Sequence, residues 1–254
     1  MRAGAARGSV PTGIRANGPT RLRRSVKPHE RGGAAARVCF PPWPLDRSTA
    51  RKQTHHASGT GRKRTCARSR VYVAGMADVL PSIDLSDREL REVTRYAAAC
   101  ARPALAIFEH ARPRDERPRA AIAAADEFAE GAKRSKALRD SAWAAQRAAR
   151  EAREVGLSAA DNAALAAVAA TGAAFLHPLS KATQVKHILG AAAYAARAFE
   201  LLADGKAVIG AGYLRQTESI APPIVRDVLK RYPNAPSGGA RVGELVRQLD
   251  FLLR

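Results

Sequence analysis

Residues Lys181 to Ala203 have the sequence KATQVKHILGAAAYAARAFELLA, and this stretch decides the fold class. Apolar residues recur in it every three or four positions, the spacing that places side chains on one face of an α-helix; they include Val185, Leu189, Ala192, Ala196 and Phe199. Most other positions are alanine, so a neighbouring helix can approach closely. The stretch therefore predicts a buried helix in an all-α protein.

The same helical spacing recurs on both sides of this stretch, and no segment alternates with the period of a β-strand. The predicted helices begin at Ser86 and Pro103, then cover 120–129, 133–155, 158–177, 181–203, 224–232 and 242–252. Short connections favour antiparallel neighbours. The sequence therefore predicts a compact antiparallel helical bundle of about seven or eight helices over residues 84–254.

Local signals mark several of the helix ends. Ser86 and Glu89 have the spacing of a capping box, which starts the first helix. Pro103 is expected to open a short second helix that ends at Ala111, because proline suits a first helical turn. Gly156 is expected to end the long fourth segment, and Ser158 to cap the helix that follows.

The first 75 residues differ from the rest in charge and pattern. They hold 17 Lys and Arg but only two acids, Glu30 and Asp46, and no sustained apolar period. Such a segment cannot bury enough apolar surface to fold, so we expect a disordered, Arg-rich extension. A segment of different character starts at Met76, which we expect to be the true initiator. The remainder is only mildly basic, with 26 Lys and Arg against 21 Asp and Glu.

The cellular location follows from what the chain lacks in sequence. The chain has three cysteines, Cys39, Cys66 and Cys100. Because their number is odd and they are widely spaced, they do not indicate a disulfide framework. Cys100 fits a buried position in the first helix. No secretory signal and no apolar run long enough to span a bilayer is present. We therefore expect a cytoplasmic protein without a membrane contact.

Motifs that carry chemistry are missing or out of place. The string Gly59-Thr60-Gly61-Arg62-Lys63-Arg64-Thr65 has the wrong spacing for a phosphate-binding loop. His55, His56 and Cys66 lack the spacing of a metal site. No nucleophile, base and acid form a recognisable set, so the prediction is a protein that is not an enzyme, with no catalytic residue, cofactor or metal.

Candidate partner-binding residues remain. His177, Lys186, His187 and Tyr194 lie in or beside the Lys181–Ala203 helix, where they could contact a partner or, for His187, serve as a general base. The preferred alternative is that the histidines satisfy a helix end. Trp143 is either an interface anchor or, as we expect, part of the core. Arg117 belongs to a turn of mixed charge that is more typical of a solvated loop than of a phosphate site.

Several strings resemble a family of bacterial Imm-5-like immunity proteins from polymorphic toxin systems. They are His177-Pro178, the run from Thr183 to Ala198, Asp115 to Ile122, Lys136 to Arg139 and Val225 to Pro233. Some relatives carry an exonuclease SbcC label, but this chain has neither the P-loop nor the long coiled coil of that enzyme. The resemblance implies an all-α fold and neutralisation of a cognate protein toxin by direct binding.

Two hypotheses follow. The first is an antitoxin-like binding protein whose candidate contacts are Arg117, Lys186, His187 and Tyr194. The second is a nucleic-acid-associated helical protein that uses the basic N-terminal segment as its electrostatic footprint, provided that this segment is translated.

Overall fold

The computed structural model describes residues 81–254. The predictions for residues 1–75, for Met76 as the initiator and for Cys39 and Cys66 lie outside this part of the chain. The domain predicted from residue 84 is contained within it, together with Pro81 to Ile83. This short segment contacts a distant loop, because Ile83 N donates to Pro178 O at 3.0 Å and Ser180 N donates to Pro81 O at 3.1 Å.

Residues 81–254 contain eight α-helices and one 3-10 turn. The helices are α1 (Asp87–Ala111), α2 (Arg117–Ala129), α3 (Lys136–Glu154), α4 (Ser158–Ala173), α5 (Val185–Leu202), α6 (Ala207–Ser219), α7 (Pro223–Lys230) and α8 (Ala240–Leu253), with the 3-10 turn Ala182–Gln184 before α5. The described residues form no β-strand, only an isolated bridge between Ser82 and Leu179. The predicted all-α fold is confirmed.

The predicted start of α1 is confirmed in atomic detail. Ser86 Oγ accepts from Glu89 N at 3.2 Å, and Glu89 Oε2 accepts from Ser86 N at 2.8 Å. Two backbone donors at the helix start are thereby satisfied. Helix α1 fully buries Val93, Ala97, Cys100 and Phe108.

The prediction of a separate helix from Pro103 is wrong, because α1 continues through Pro103 to Ala111. Proline removes one hydrogen bond from a helix interior and its ring crowds the preceding turn. The buried stripe nevertheless stays in phase across it, with Ala101 on one side and Ala104 and Leu105 on the other. Pro103 itself faces solvent. The burial of α1 residues before and after Pro103 therefore outweighs the cost of placing proline in the helix interior.

The predicted capping role of Ser158 is also wrong, since Ser158 is the first residue of α4 and Leu157 precedes it without a side-chain cap. A second difference is α6, a helix that the sequence pattern did not indicate. Its first turn exposes Val208 and Ile209 to solvent. Tyr213 holds it in place, because its hydroxyl donates to Cys100 O at 2.6 Å and its ring lies 4.8 Å from that of Phe199.

Alanine-rich α4 and α5 form the centre of the bundle. Thirteen residues of α4 are buried, and α4 contacts α1, α2, α3 and α5. A Cβ added to Gly190 of α5 would lie 3.6 Å from the Cβ of Ala169 in α4, which shows how closely the two helices pack. The remaining helices flank this pair, with α2 and α3 beside α4 and with α6 and α8 beside α5. Across residues 81–254, none of the helices has the length and apolar character needed to cross a bilayer.

Candidate partner-binding surfaces

The loop between α4 and α5 is fixed through the main chain of His177. Its N–H donates to Gln184 Oε1 at 3.0 Å, and its carbonyl accepts from the Tyr232 hydroxyl at 2.8 Å. Gln184 belongs to the string that carries the family resemblance, and Tyr232 follows α7. Both side chains are buried. This part of the motif therefore joins three elements of the fold.

His187 joins the start of α5 to the end of α4. Its Nδ1 lies 2.9 Å from Gly172 O in the last turn of α4, a carbonyl that also accepts from Phe175 N at 3.0 Å. Burial lowers the pKa of His187, and the nearby His177 acts in the same direction. A neutral imidazole with Nδ1 donating to Gly172 suits this position. The geometry favours the alternative in which His187 satisfies a helix end over a role as a general base.

Lys186 and Tyr194 lie on the same helix as His187 and are partly buried. Lys186 Nζ approaches the turn before α8, since it lies 3.9 Å from the position of a Cβ on Gly239. Tyr194 packs against the core. The structure thus brings His177, Lys186 and His187 to the α4–α5 junction, with Tyr194 two helical turns further along α5.

Arg117 lies elsewhere, at the start of α2, and is engaged within the molecule. Its Nε donates to Asp115 Oδ1 at 2.8 Å, and its Nη1 donates to Glu151 Oε1 of α3 at 3.0 Å. Hydrogen bonds from Arg117 hold the pKa of the Asp115 carboxyl below its ordinary range. A guanidinium that already binds two carboxylates has little capacity left for a partner, which favours a loop of mixed charge over a phosphate site.

Trp143 is not a core residue, so the preferred prediction for it is wrong. Its side chain is 41% exposed on α3, whose buried side consists mainly of small residues. The inward positions are Leu138, Ala142, Ala145, Ala148, Ala149 and Ala152. Because alanine lets α3 pack closely on its neighbours, no room remains for an indole on that side. Trp143 therefore occupies the outer side, which is the alternative that makes it an interface candidate.

A buried ionic cluster that the sequence pattern did not indicate lies at the junction of α5, α6 and α8. Glu200 is fully buried and accepts from Arg241 Nη2 at 2.6 Å and from Arg197 Nη1 at 2.9 Å. Burial alone would raise the pKa of Glu200, but the hydrogen bonds from Arg241 and Arg197 outweigh it and lower the pKa. The sequence signal is Glu200, a single carboxylate in the otherwise apolar stretch AFELL at the end of α5, Ala198 to Leu202. Both carboxylate oxygens are bonded, so the cluster is structural.

Residues 81–254 contain no group of three or more His, Cys, Asp and Glu side chains placed to hold a metal ion. Cys100 is a free thiol without exposed surface, as expected, and burial raises its pKa to about 12. A thiol in that state is a poor nucleophile.

Comparison with known proteins gives one finding. The model of a protein family described as Imm-5 like putative immunity protein matches residues 84–222, which is more than half of the chain. The match spans α1 to α6, including Trp143 and the string around His187. No curated protein and no solved structure matches the chain significantly.

Proposed function

Since the chain belongs to the family of Imm-5 like putative immunity proteins, we propose that it neutralises a cognate bacterial protein toxin by binding it directly. The family match over α1 to α6 carries this proposal. An immunity protein of this kind needs a complementary surface with a few strong anchors, and it needs no reaction centre. We place its action in the cytoplasm, where the free Cys100 thiol would stay reduced.

The geometry of the described residues supports a binding role in two ways. The α4–α5 junction is fixed by His177, Gln184 and His187, so the body that carries the surface is already ordered before a partner arrives. A preordered surface loses less conformational entropy on association. In addition, the exposed Trp143 supplies a side chain of the type that dominates binding energy at protein interfaces.

Co-expression tests the proposal. Toxin domains encoded beside the gene in the source genome are induced one at a time in a host that also carries the full chain or an empty vector. We expect the full chain to restore growth against one toxin and to co-purify with that toxin in a defined ratio. The proposal is overturned if the chain is expressed in soluble form and none of the active toxins is neutralised or bound.

A further inference from the structure

Three side chains form a continuous stripe on the outer side of α3. Arg139, Trp143 and Arg147 follow one another at intervals of four residues, which places them above one another on a helix surface. Trp143 and Arg147 are exposed and Arg139 is partly exposed. Trp143 is 41% exposed, so part of its surface is covered by the protein. We call these three residues the α3 stripe.

The charge of the α3 stripe is unbalanced within the described part of the chain. All three acids of α3 are used elsewhere, because Asp140 pairs with Lys136, Glu151 with Arg117 and Glu154 with Arg150. Arg153 pairs with Asp161. Among residues 81–254, no carboxylate forms an ion pair with Arg139 or Arg147. Two unmatched guanidiniums therefore flank an exposed tryptophan.

The charge also decides which occupant fits. The N-terminal segment of this chain carries 17 Lys and Arg and two acids, so its charge has the same sign as that of the α3 stripe and does not complement it. A symmetric second copy would place the two arginines opposite arginines, which is unfavourable. An acidic protein surface complements the stripe, since carboxylates can bind both guanidiniums bidentately while the indole fills an apolar recess between them.

We propose that the α3 stripe is the surface through which this protein binds its toxin, and that the toxin presents a recess lined by Asp and Glu to Arg139, Trp143 and Arg147. This inference rests on the proposed immunity function and adds the contact surface and the chemistry of the partner. Arginine and tryptophan are enriched among the residues that carry most of the binding energy at interfaces.

The test uses the full chain and the toxin that it neutralises in co-expression. Trp143→Ala is expected to weaken binding at least ~10-fold in a titration of purified proteins. The double variant Arg139→Glu/Arg147→Glu is expected to slow association, and to lose the decrease in affinity that added salt causes in the wild type. Because both arginines are at least partly exposed, this variant tests the stripe even if Trp143→Ala folds poorly.

Two control variants match these changes on other surfaces. Phe251→Ala removes an aromatic side chain that is 84% exposed on α8. Lys206→Glu/Arg215→Glu reverses two exposed charges at and within α6. Both are expected to bind the toxin like the wild type.

Each other outcome has a defined meaning. If the wild type neutralises a toxin but the α3 variants bind it unchanged, or the controls lose as much affinity, the assignment of the stripe is overturned while the immunity function stands. If the wild type neutralises none, both fall. If a DNA duplex binds the wild type and loses affinity in the same α3 variants, the stripe is a nucleic-acid surface and the assignment to an acidic protein is overturned.

Discussion

Glu200 of α5 lies so close to Gly210 of α6 that a Cβ added to Gly210 would be 2.3 Å from the Glu200 Oε1 atom. The carboxylate cannot swing away freely, because Arg241 and Arg197 hold both of its oxygens. Glycine at position 210 is therefore required by a contact between helices and not by a turn.

Gly210→Ala is expected to lower the free energy of unfolding by about 1–2 kcal/mol, because overpacking outweighs the higher helix propensity of alanine. Gly212→Ala is the matched control on the same helix. A Cβ there meets no atom within 4 Å, so this variant should gain about 0.5–1 kcal/mol. Urea-induced unfolding of both variants measures the difference. If Gly210→Ala and Gly212→Ala stabilised the protein equally, the contact with Glu200 would be contradicted. The loss of stability caused by Gly210→Ala should also be smaller in a Glu200→Ala background.

Pro103→Ala is expected to raise the free energy of unfolding by about 1–3 kcal/mol. Alanine restores the hydrogen bond that proline cannot donate in the interior of α1, and the site is exposed, so no packing is lost. Thermal unfolding followed by circular dichroism provides the measurement.

The control for Pro103 is Pro223→Ala. Pro223 is also exposed, but it lies in the first turn of α7, where a missing N–H costs no helical hydrogen bond. This variant should be neutral or lose up to about 1 kcal/mol, because the unfolded chain becomes more flexible. A similar stabilisation by both substitutions would mean that the position within the helix has no effect.

His187 is expected to make the folded state sensitive to mild acid. Its folded pKa lies below the ordinary value of 6.5, so the unfolded chain binds the proton more readily. The stability that depends on neutral His187 is present above pH 6.5 and is lost as the pH falls through 6.5 towards the lower folded value. Urea unfolding at several pH values from 7.5 downwards measures the loss.

The substitution His187→Asn should remove this pH dependence, since its amide can still donate to Gly172 O and does not titrate. His110→Asn, at an exposed site on α1, controls for the removal of one imidazole. If the His187→Asn protein keeps the wild-type slope of stability against pH, another group causes the acid sensitivity.

Glu89 is expected to make the stability of the folded state depend on pH in a lower range than His187 does. Its hydrogen bond with Arg231, together with the Ser86 backbone, lowers its pKa from 4.5 to about 2. A carboxyl group with a depressed folded pKa contributes stability above its unfolded pKa, and this contribution is lost as the pH falls from 4.5 to about 2. Glu89→Gln preserves the capping box but loses the ion pair, at a cost of about 1–2 kcal/mol near neutral pH.

Acid titration of the folded fraction compares Glu89→Gln with Asp87→Asn, which removes an exposed charge from the same first turn. Only Glu89→Gln should flatten the loss of stability below pH 4.5. If the two variants behaved alike, the stabilising ion pair between Glu89 of α1 and Arg231 after α7 would be refuted.

Where a helix begins or ends was predictable when the signal was local. The capping box of Ser86 and Glu89 involves atoms three residues apart, so the sequence contains the whole interaction. The same holds for Gly156, which follows α3 with a φ of +79°. The long runs of alanine likewise predicted close helix packing, since they limit the side-chain volume between neighbouring backbones.

Burial and ion pairing could not be predicted in this way. Trp143 is exposed because alanines fill the inward side of α3, and Arg117 is occupied because the fold places Glu151, 34 residues away, beside it. Helix α6 contacts α1 through the hydrogen bond from Tyr213 to Cys100, although its first turn faces solvent. Each of these outcomes depends on residues that are distant in the chain.

The sequence by itself thus determined the all-α class, most helix boundaries and the family, because these depend on periodicity, caps and short strings. Only the tertiary structure decided that α1 passes through Pro103, that His187 contacts Gly172 in the last turn of α4 and that Trp143 is exposed on α3. The physical reason is that propensity acts on one residue at a time, whereas burial and charge pairing are set by the neighbours that folding brings together.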